Sequence, residues 1–330
     1  MTRFVAALVI VLLGLGIGGL WMDYRKYVSS SLNIMETTYF EIGKGMGLAE
    51  VAGNLAARGI LTKPNWFRLA AYARGVHRQL KYGEYEIPKG TTPASLLKMF
   101  VEGRVRQYQV TVVEGWTFRD MLAALARHPA LLPVASSKPP AEVMALLGVP
   151  GQPAEGRFFP DTYFVTKGTP DLEVLKRAHV RMKAMLAREW QERSNNLPLG
   201  TSDEALILAS IIEKEAARSE ERPAVAGVFV RRLAKGMRLQ TDPTVIYGMG
   251  SAYSGNIRKS DLRRDTPYNT YTRHGLPPTP IALPGLHAIH AALHPDDGTS
   301  LYFVSRGDGS HVFSSTLQAH QRAVRKYQKH

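Results

Sequence analysis

The chain has 330 residues and a mass of 36.5 kDa, room for two or three folded units of about 100 to 200 residues each. A composition of 45% hydrophobic and 21% charged residues excludes wholesale disorder, and the lack of any cysteine excludes disulfide frameworks, thiolate metal sites and cysteine nucleophiles. A net charge of +14 favours a polyanionic partner such as nucleic acid, anionic lipid or an anionic wall polymer, with a generally basic surface as the plain alternative.

In chain order, Phe4 to Trp21 is an uncharged apolar run close to the roughly 20 residues that span a bilayer core. It ends in Trp21, Met22 and Asp23 without the small-residue cleavage pattern of a signal peptide. Residues 1–22 are therefore expected to be a retained transmembrane anchor. Arg3 lies on one side of the run and Arg25 and Lys26 on the other, so the positive-inside rule does not fix orientation. Residues 23–39, with Ser29, Ser30 and Ser31, read as a polar tether.

Folded pattern begins near Phe40. A strand leads to a turn at Gly43 to Gly47, after which Leu48, Val51, Ala52 and Leu55 recur at helical spacing. A second helix is expected over Asn65 to Gly75 and a third from Ala94 to Val101, after the Lys89-Gly90-Thr91-Thr92-Pro93 turn. Gly115, Phe118, Met121 and Leu125 repeat Gly45, Leu48, Val51 and Leu55 seventy positions later, which suggests two copies of one strand-turn-helix unit within residues 40–127. Residues 128–154 shift to Pro, Ser and Ala and read as a linker. A larger domain over 155–330 opens with Glu155-Gly-Arg-Phe-Phe-Pro-Asp-Thr-Tyr163, and a long amphipathic helix is expected from Asp171 to Arg193. The whole is an α+β chain.

The segment from Thr201 to Lys235 carries the most chemistry. Thr201 and Glu204 form a capping box, so a helix should start at Ser202 and run to about Arg218, with a second starting at Pro223. On that helix Glu215 lies only about 20° around from Leu208 and close to Ile211 and Ile212. Glu213 falls on the other flank, near Leu206, Ala209 and Ala217. Packed aliphatic side chains raise a carboxyl pKa, as an acid that protonates a glycosidic oxygen requires. Glu215 has the better surroundings for this, and pairing with Arg218, Arg231 or Arg232 is the plain alternative for either glutamate.

Beyond it, Asp242-Pro243-Thr244 reads as a helix N-cap followed by proline. Tyr268-Asn269-Thr270-Tyr271, followed by Gly275-Leu276-Pro277-Pro278, is a rigid loop whose phenols and amide suit sugar stacking and hydrogen bonding to acetamido groups. His287, His290 and His294 lack an accompanying ligand pattern, so no metal is expected there. Neither a nucleophile elbow nor a Walker or Rossmann fingerprint occurs.

Several of these stretches together resemble the MltG (YceG-like) endolytic murein transglycosylase family: Glu155 to Tyr163, Leu208-Ala-Ser-Ile-Ile-Glu-Lys-Glu-Ala216, Val228-Phe-Val-x-Arg-Leu233, Gly236 to Gly248, and Tyr268 to Pro278. Arg157 stands where the family pattern suggests an aromatic or aliphatic residue. The resemblance implies LysM-like modules over 40–127 and a mainly helical, lysozyme-like catalytic domain with some strands over 155–330. It implies a single-pass inner-membrane protein with a periplasmic body, peptidoglycan strands as substrate, and peptidoglycan synthases as a partner class. No cofactor is implied, and nucleic acid is not.

The family's catalytic glutamate falls on Glu215, and the short I-I-x-x-E-A pattern is similar to that of goose-type lysozyme-like transglycosylases. Gln240, Asp242 and Asn269 are implied to line the cleft, with Tyr268 and Tyr271 as further candidates for sugar contact. The expected reaction ends strands in 1,6-anhydro-N-acetylmuramoyl groups. Two rivals remain: a non-catalytic peptidoglycan-binding scaffold, which would be indifferent to Glu215, and a membrane-tethered nucleic-acid binder. The second would need a basic stripe interleaved with aromatics, whereas the lysines and arginines are scattered. An older family label, aminodeoxychorismate lyase, would need pyridoxal phosphate in a fold this chain does not resemble.

Overall fold

The apolar run at the start of the chain forms one unbroken helix, α1 (Thr2–Ser29), in a computed structural model that describes residues 2–328. Over Ala7–Ser29 it is long and apolar enough to cross a membrane, and Phe4, Ile10, Leu15 and Ile17 point outward from it. Contacts divide the chain into two compact units, Met1–Tyr108 and Gln109–His330.

In the first unit the expected tether is folded. The end of α1 docks on the unit through Asp23, which accepts from Lys63 Nζ at 2.7 Å and from Trp66 Nε1 at 3.1 Å, while Tyr24 packs on Trp66 at 5.6 Å. Tyr27, Leu32 and Ile34 are buried. These few apolar side chains fix a segment whose average composition is polar, because each removes its surface from water.

The rest of the unit runs β1 (Thr38–Ile42), α2 (Leu48–Ala57), α3 (Pro64–Ala73), β2 (Gly83–Ile87) and α4 (Pro93–Glu102). β1 and β2 are antiparallel with Phe40 opposite Tyr85 and Ile42 opposite Gly83. Strand alternation turns Phe40, Ile42, Tyr85 and Ile87 inward, and Tyr85 meets Phe100 of α4 edge-on at 4.7 Å.

One local device recurs. Gly45, Gly90 and Gly115 have φ of 86°, 84° and 76°, and each stands two residues before the N-cap of a helix, at Gly47, Thr92 and Thr117. A left-handed turn is cheap only for glycine, so strand, glycine turn and capped helix form one repeated unit. The sequence repeat at Gly45 and Gly115 is two of three occurrences, and the third copy belongs to the second unit.

That unit comprises β3 (Tyr108–Thr111), α5 (Phe118–Arg127), β4 (Leu131–Leu132), α6 (Pro140–Leu146), β5 (Thr162–Val165), β6 (Thr169–Pro170), α7 (Asp171–Gln191), α8 (Ser202–Glu215), α9 (Arg222–Ala234), α10 (Asp242–Met249), α11 (Lys259–Arg263), α12 (Leu286–Leu293), β7 (Tyr302–Ser305), β8 (His311–Ser314) and α13 (Leu317–Tyr327). Among the described residues its strands pair in twos, β3 with β5, β4 with β6 and β7 with β8. Helices dominate, and the chain is a mixed helix-and-strand protein.

Residues 128–154, read as a linker, are packed into this unit. Ala130, Ala135, Val143 and Met144 are buried, and the buried Asp171 carboxylate accepts from the backbone N–H groups of Val134, Ala135 and Ser136 at 2.8 to 2.9 Å.

The core centres on α8. Its capping box forms as expected, with Thr201 accepting from Glu204 N, and every residue from Ala205 to Ile212 is buried among side chains of α7, α9 and α12. It ends at Glu215 rather than at Arg218. Ala216 leaves the helix with φ −95° and ψ 97°, its side chain buried, and Arg218 reaches out to donate to Asp308 O at 2.8 Å.

Candidate active site

Because α8 stops there, Glu215 is its last residue, three positions beyond the buried stretch, at a cleft of ≈ 530 Å³ in the second unit. Arg232 and Leu239 from and after α9, Gln240, Asp242 of α10, Tyr271, Tyr302 of β7 and His311 of β8 share its walls. Glu215 Oε1 accepts a short hydrogen bond from Thr241 Oγ1. Burial raises the carboxyl pKa; the Thr241 bond opposes this, nearby Asp242 adds to it and His311 lowers it. The negative end of the α8 dipole acts in the same direction as burial. Such a group holds its proton to higher pH than an exposed glutamate does.

Thr241 is held in place by its neighbours. Its N–H donates to Thr270 Oγ1 at 3.1 Å, its carbonyl accepts from Thr244 Oγ1 at 2.7 Å, and the Thr244 and Thr270 hydroxyls lie 2.9 Å apart. All three threonines are buried. By backbone geometry Thr241, not Asp242, is the N-cap of α10, and no side chain caps it. Its hydroxyl serves Glu215, and Asp242 becomes the first helical residue, free to accept from Tyr271 Oη at 2.5 Å. Gln240, just before, has φ 50°, a left-handed conformation that costs a non-glycine residue about 1 kcal/mol or more. That turn leaves its side chain exposed at the cleft.

Four of the six anticipated residues thus meet in one cleft: Glu215, Gln240, Asp242 and Tyr271. Asn269 and Tyr268 do not join them. Asn269 is buried and spends its amide on the carbonyls of Asp261, Leu262 and Arg264, at 2.7 to 3.2 Å, while its Oδ1 accepts from Tyr271 N. It shapes the loop that presents Tyr271. Tyr268 packs edge-on against Tyr247 at 4.9 Å, and its hydroxyl meets Thr279 at 2.8 Å.

Glu213 has a different occupation. One oxygen accepts from Arg222 at 2.7 Å and the other from Gly285 N at 2.9 Å, with its side chain 4% exposed. It ties α8 to the starts of α9 and α12; Glu213 is thus paired with an arginine, though with Arg222 and not with Arg218, Arg231 or Arg232, whose partners lie elsewhere.

Glu155 buttresses the site from behind. Its carboxyl accepts from Phe118 N at 2.9 Å and from Tyr247 Oη at 3.1 Å, joining the start of α5 to α10, and burial pushes its pKa up to about 7. Next to it Gly156 has φ 78°, and a Cβ there would lie 2.4 Å from Pro280, so no larger residue fits. Arg157 forms a two-pronged pair with Asp203 in the first turn of α8.

Thr241, Thr244, Thr270, Arg232, Tyr302 and His311 are absent from the sequence-based set. The threonines lie inside motifs already noted, where alternating hydroxyls in an apolar run were the available signal. His311, half-buried with its ring 2.7 Å from Glu221, is almost a hundred residues from Glu215 and has no local signal.

A model of the YceG-like family matches residues 40–326. Similarity extends to the endolytic murein transglycosylase of Bacillus subtilis strain 168, at 30% identity over 94% of this chain and 91% of that one. The protein of the same name from Streptococcus pneumoniae serotype 2 is 27% identical over 98% of this chain, which spans 65% of that longer relative. Among solved structures, a putative YceG-like protein of Listeria monocytogenes is similar with a TM-score of 0.55 and 28% identity, covering 87% of this chain and 99% of that one. With a match over most of its length and a cleft built around the glutamate that its sequence singles out, the chain is a member of the YceG-like family.

Proposed function

We propose that this protein is an endolytic murein transglycosylase in which Glu215 is the acid and base. The relatives that match nearly its full length carry that name. What supports the residue assignment is a carboxyl whose pKa burial raises, placed at the mouth of a cleft whose volume lies within the roughly 300 to 1,000 Å³ of ligand sites.

In the proposed reaction Glu215 donates its proton to the glycosidic oxygen as the bond to the muramoyl C1 breaks. The resulting carboxylate takes the proton of the same sugar's C6 hydroxyl as O6 closes on C1. The proton count at Glu215 is restored, and the strand ends in a 1,6-anhydro ring. No water enters, so one carboxyl serves where hydrolases use two. Thr241 steadies the carboxylate between the two transfers. Gln240, Asp242 and Tyr271 are proposed to hold the sugar rings and offset charge in the oxocarbenium-like transition state.

In the same reading α1 is retained as a single-pass anchor, with the body on the outer face of the inner membrane, within reach of nascent strands and their synthases. The compact strand-helix-helix-strand order from β1 to β2 supports a LysM-like, glycan-contacting role for the first unit, and the helical core around α8 supports a lysozyme-like catalytic domain.

The test is digestion of uncrosslinked peptidoglycan by the purified protein, with products read by mass spectrometry. Wild type and Glu213→Gln should yield anhydromuramoyl ends, and Glu215→Gln none. Reducing ends would mean a hydrolase with water as the nucleophile, and binding without cleavage by any variant would mean a scaffold.

A further inference from the structure

A second cluster of chemically capable side chains lies away from the cleft, between α7 and α12 of the second unit. Glu189, buried near the end of α7, has Oε2 2.7 Å from His290 Nδ1 of α12. One turn on, at the C-cap of α12, the ring of His294 stacks on that of His290 with centroids 4.2 Å apart. One ligand atom from each of the three residues lies within 4.8 Å of the others. His294 Nε2 is buried without a hydrogen-bond partner, although its Nδ1 is 3.4 Å from Ser194 Oγ.

A salt bridge between Glu189 and a protonated His290 would explain one contact, but it leaves the buried His294 nitrogen unexplained. We propose that Glu189, His290 and His294 form a binding site for a divalent transition-metal ion of the zinc class.

Two histidines four apart on a helix present both rings to one side, and two imidazoles with one carboxylate are donors suited to zinc or copper rather than calcium. Around one zinc, with bonds of about 2.0 to 2.2 Å, donor atoms sit about 3 to 3.5 Å apart. The three donor atoms lie within 4.8 Å of one another, and His290, whose side chain is 57% exposed, has room to close that span. Three protein donors leave a fourth position of a tetrahedral ion for a water molecule. The ion would fasten α7 to the end of α12, a role in support of the core and not in the reaction.

The sequence could not show this site. His-x-x-x-His is visible, but the carboxylate comes from 101 residues earlier and His287, one turn before, takes no part in the group.

The test uses untagged full-length protein in detergent, titrated with Zn²⁺ by calorimetry and with Cu²⁺ by electron paramagnetic resonance. One equivalent of Zn²⁺ should bind, and Cu²⁺ should show coupling to two nitrogens. Glu189→Gln, His290→Ala and His294→Ala should each weaken that site at least about tenfold, whereas His287→Ala should leave it unchanged. Should a variant fold poorly, diethyl pyrocarbonate labelling of the wild type decides: Zn²⁺ should protect His290 and not His287. Absence of Zn²⁺ binding, equal affinity in the His290→Ala/His294→Ala double variant, or labelling of His290 indifferent to Zn²⁺ would each overturn the proposal.

Discussion

At the scale of single residues, the Glu215 carboxyl is set by opposed influences, and the direction of its pKa shows which wins. Burial and Asp242 outweigh the Thr241 hydroxyl and His311, so the acid form persists upward in pH. Activity that needs this acid should fall as pH rises through its folded pKa. Thr241→Val removes a donor that favours the charged form, and the basic limb of the kcat/KM profile should move upward by about half to one pH unit. An unmoved limb would mean that another group titrates there. Gln240 separates strain from function. In Gln240→Gly the relief of a left-handed φ, about 1 kcal/mol, is offset by the added chain entropy of glycine, about 0.5 to 1 kcal/mol. Thermal stability should stay nearly constant while kcat/KM falls up to about tenfold through a lost hydrogen bond. Wild-type kinetics in that variant would remove Gln240 from the sugar-binding set.

At the scale of elements, the site depends on where helices stop and what braces them. Glu155 links the N-terminus of α5 to α10, and its pKa, raised from 4.5 to about 7, makes the native state bind a proton that the unfolded state releases. Its contribution to stability is fully present below about pH 4.5 and is lost as pH rises through about 7. Melting temperature should therefore decline over that window in the wild type, and Glu155→Gln, which keeps a neutral acceptor for Phe118 N, should flatten the decline. An unchanged slope would place the titration elsewhere. How far such elements can be read beforehand depends on how local their causes are. The capping box at Thr201, the aliphatic setting of Glu215 and the glycine turns at Gly45 and Gly115 are neighbour effects, visible in the sequence. The end of α8 is not: Arg218 finds its carbonyl 90 residues later, and nothing in Ala216-Ala217-Arg218 announces the stop. The inward turn of Asn269 onto carbonyls of its own loop and the packing of Tyr268 on Tyr247 and Thr279 are not visible either, because a loop sequence gives residue chemistry without side-chain direction.

At the scale of the whole molecule, the first helix is long and apolar enough to cross a membrane and its end packs on the folded body, and truncation can separate the two parts. A cleaved signal peptide and a retained anchor share the apolar run, but α1 continues without a break to Ser29, and Asp23 is bonded to Lys63 and Trp66. The helix that would have to be cut is thus continuous with the segment that docks. Intact mass of the protein from native membranes should accordingly include residues 1–22. Removing those residues should leave the first unit folded, because Tyr27, Leu32 and Ile34 remain to be buried. Removing residues 1–34 takes all three away, at about 1.5 to 3 kcal/mol for each fully buried apolar side chain, discounted for surface already covered in the unfolded chain. The loss approaches the whole stability of a small domain, about 5 to 15 kcal/mol. Hydrogen exchange at the paired strands β1 and β2 measures this directly: protection should survive the shorter deletion and collapse in the longer one. Equal protection in both would return residues 23–34 to the role of a passive tether.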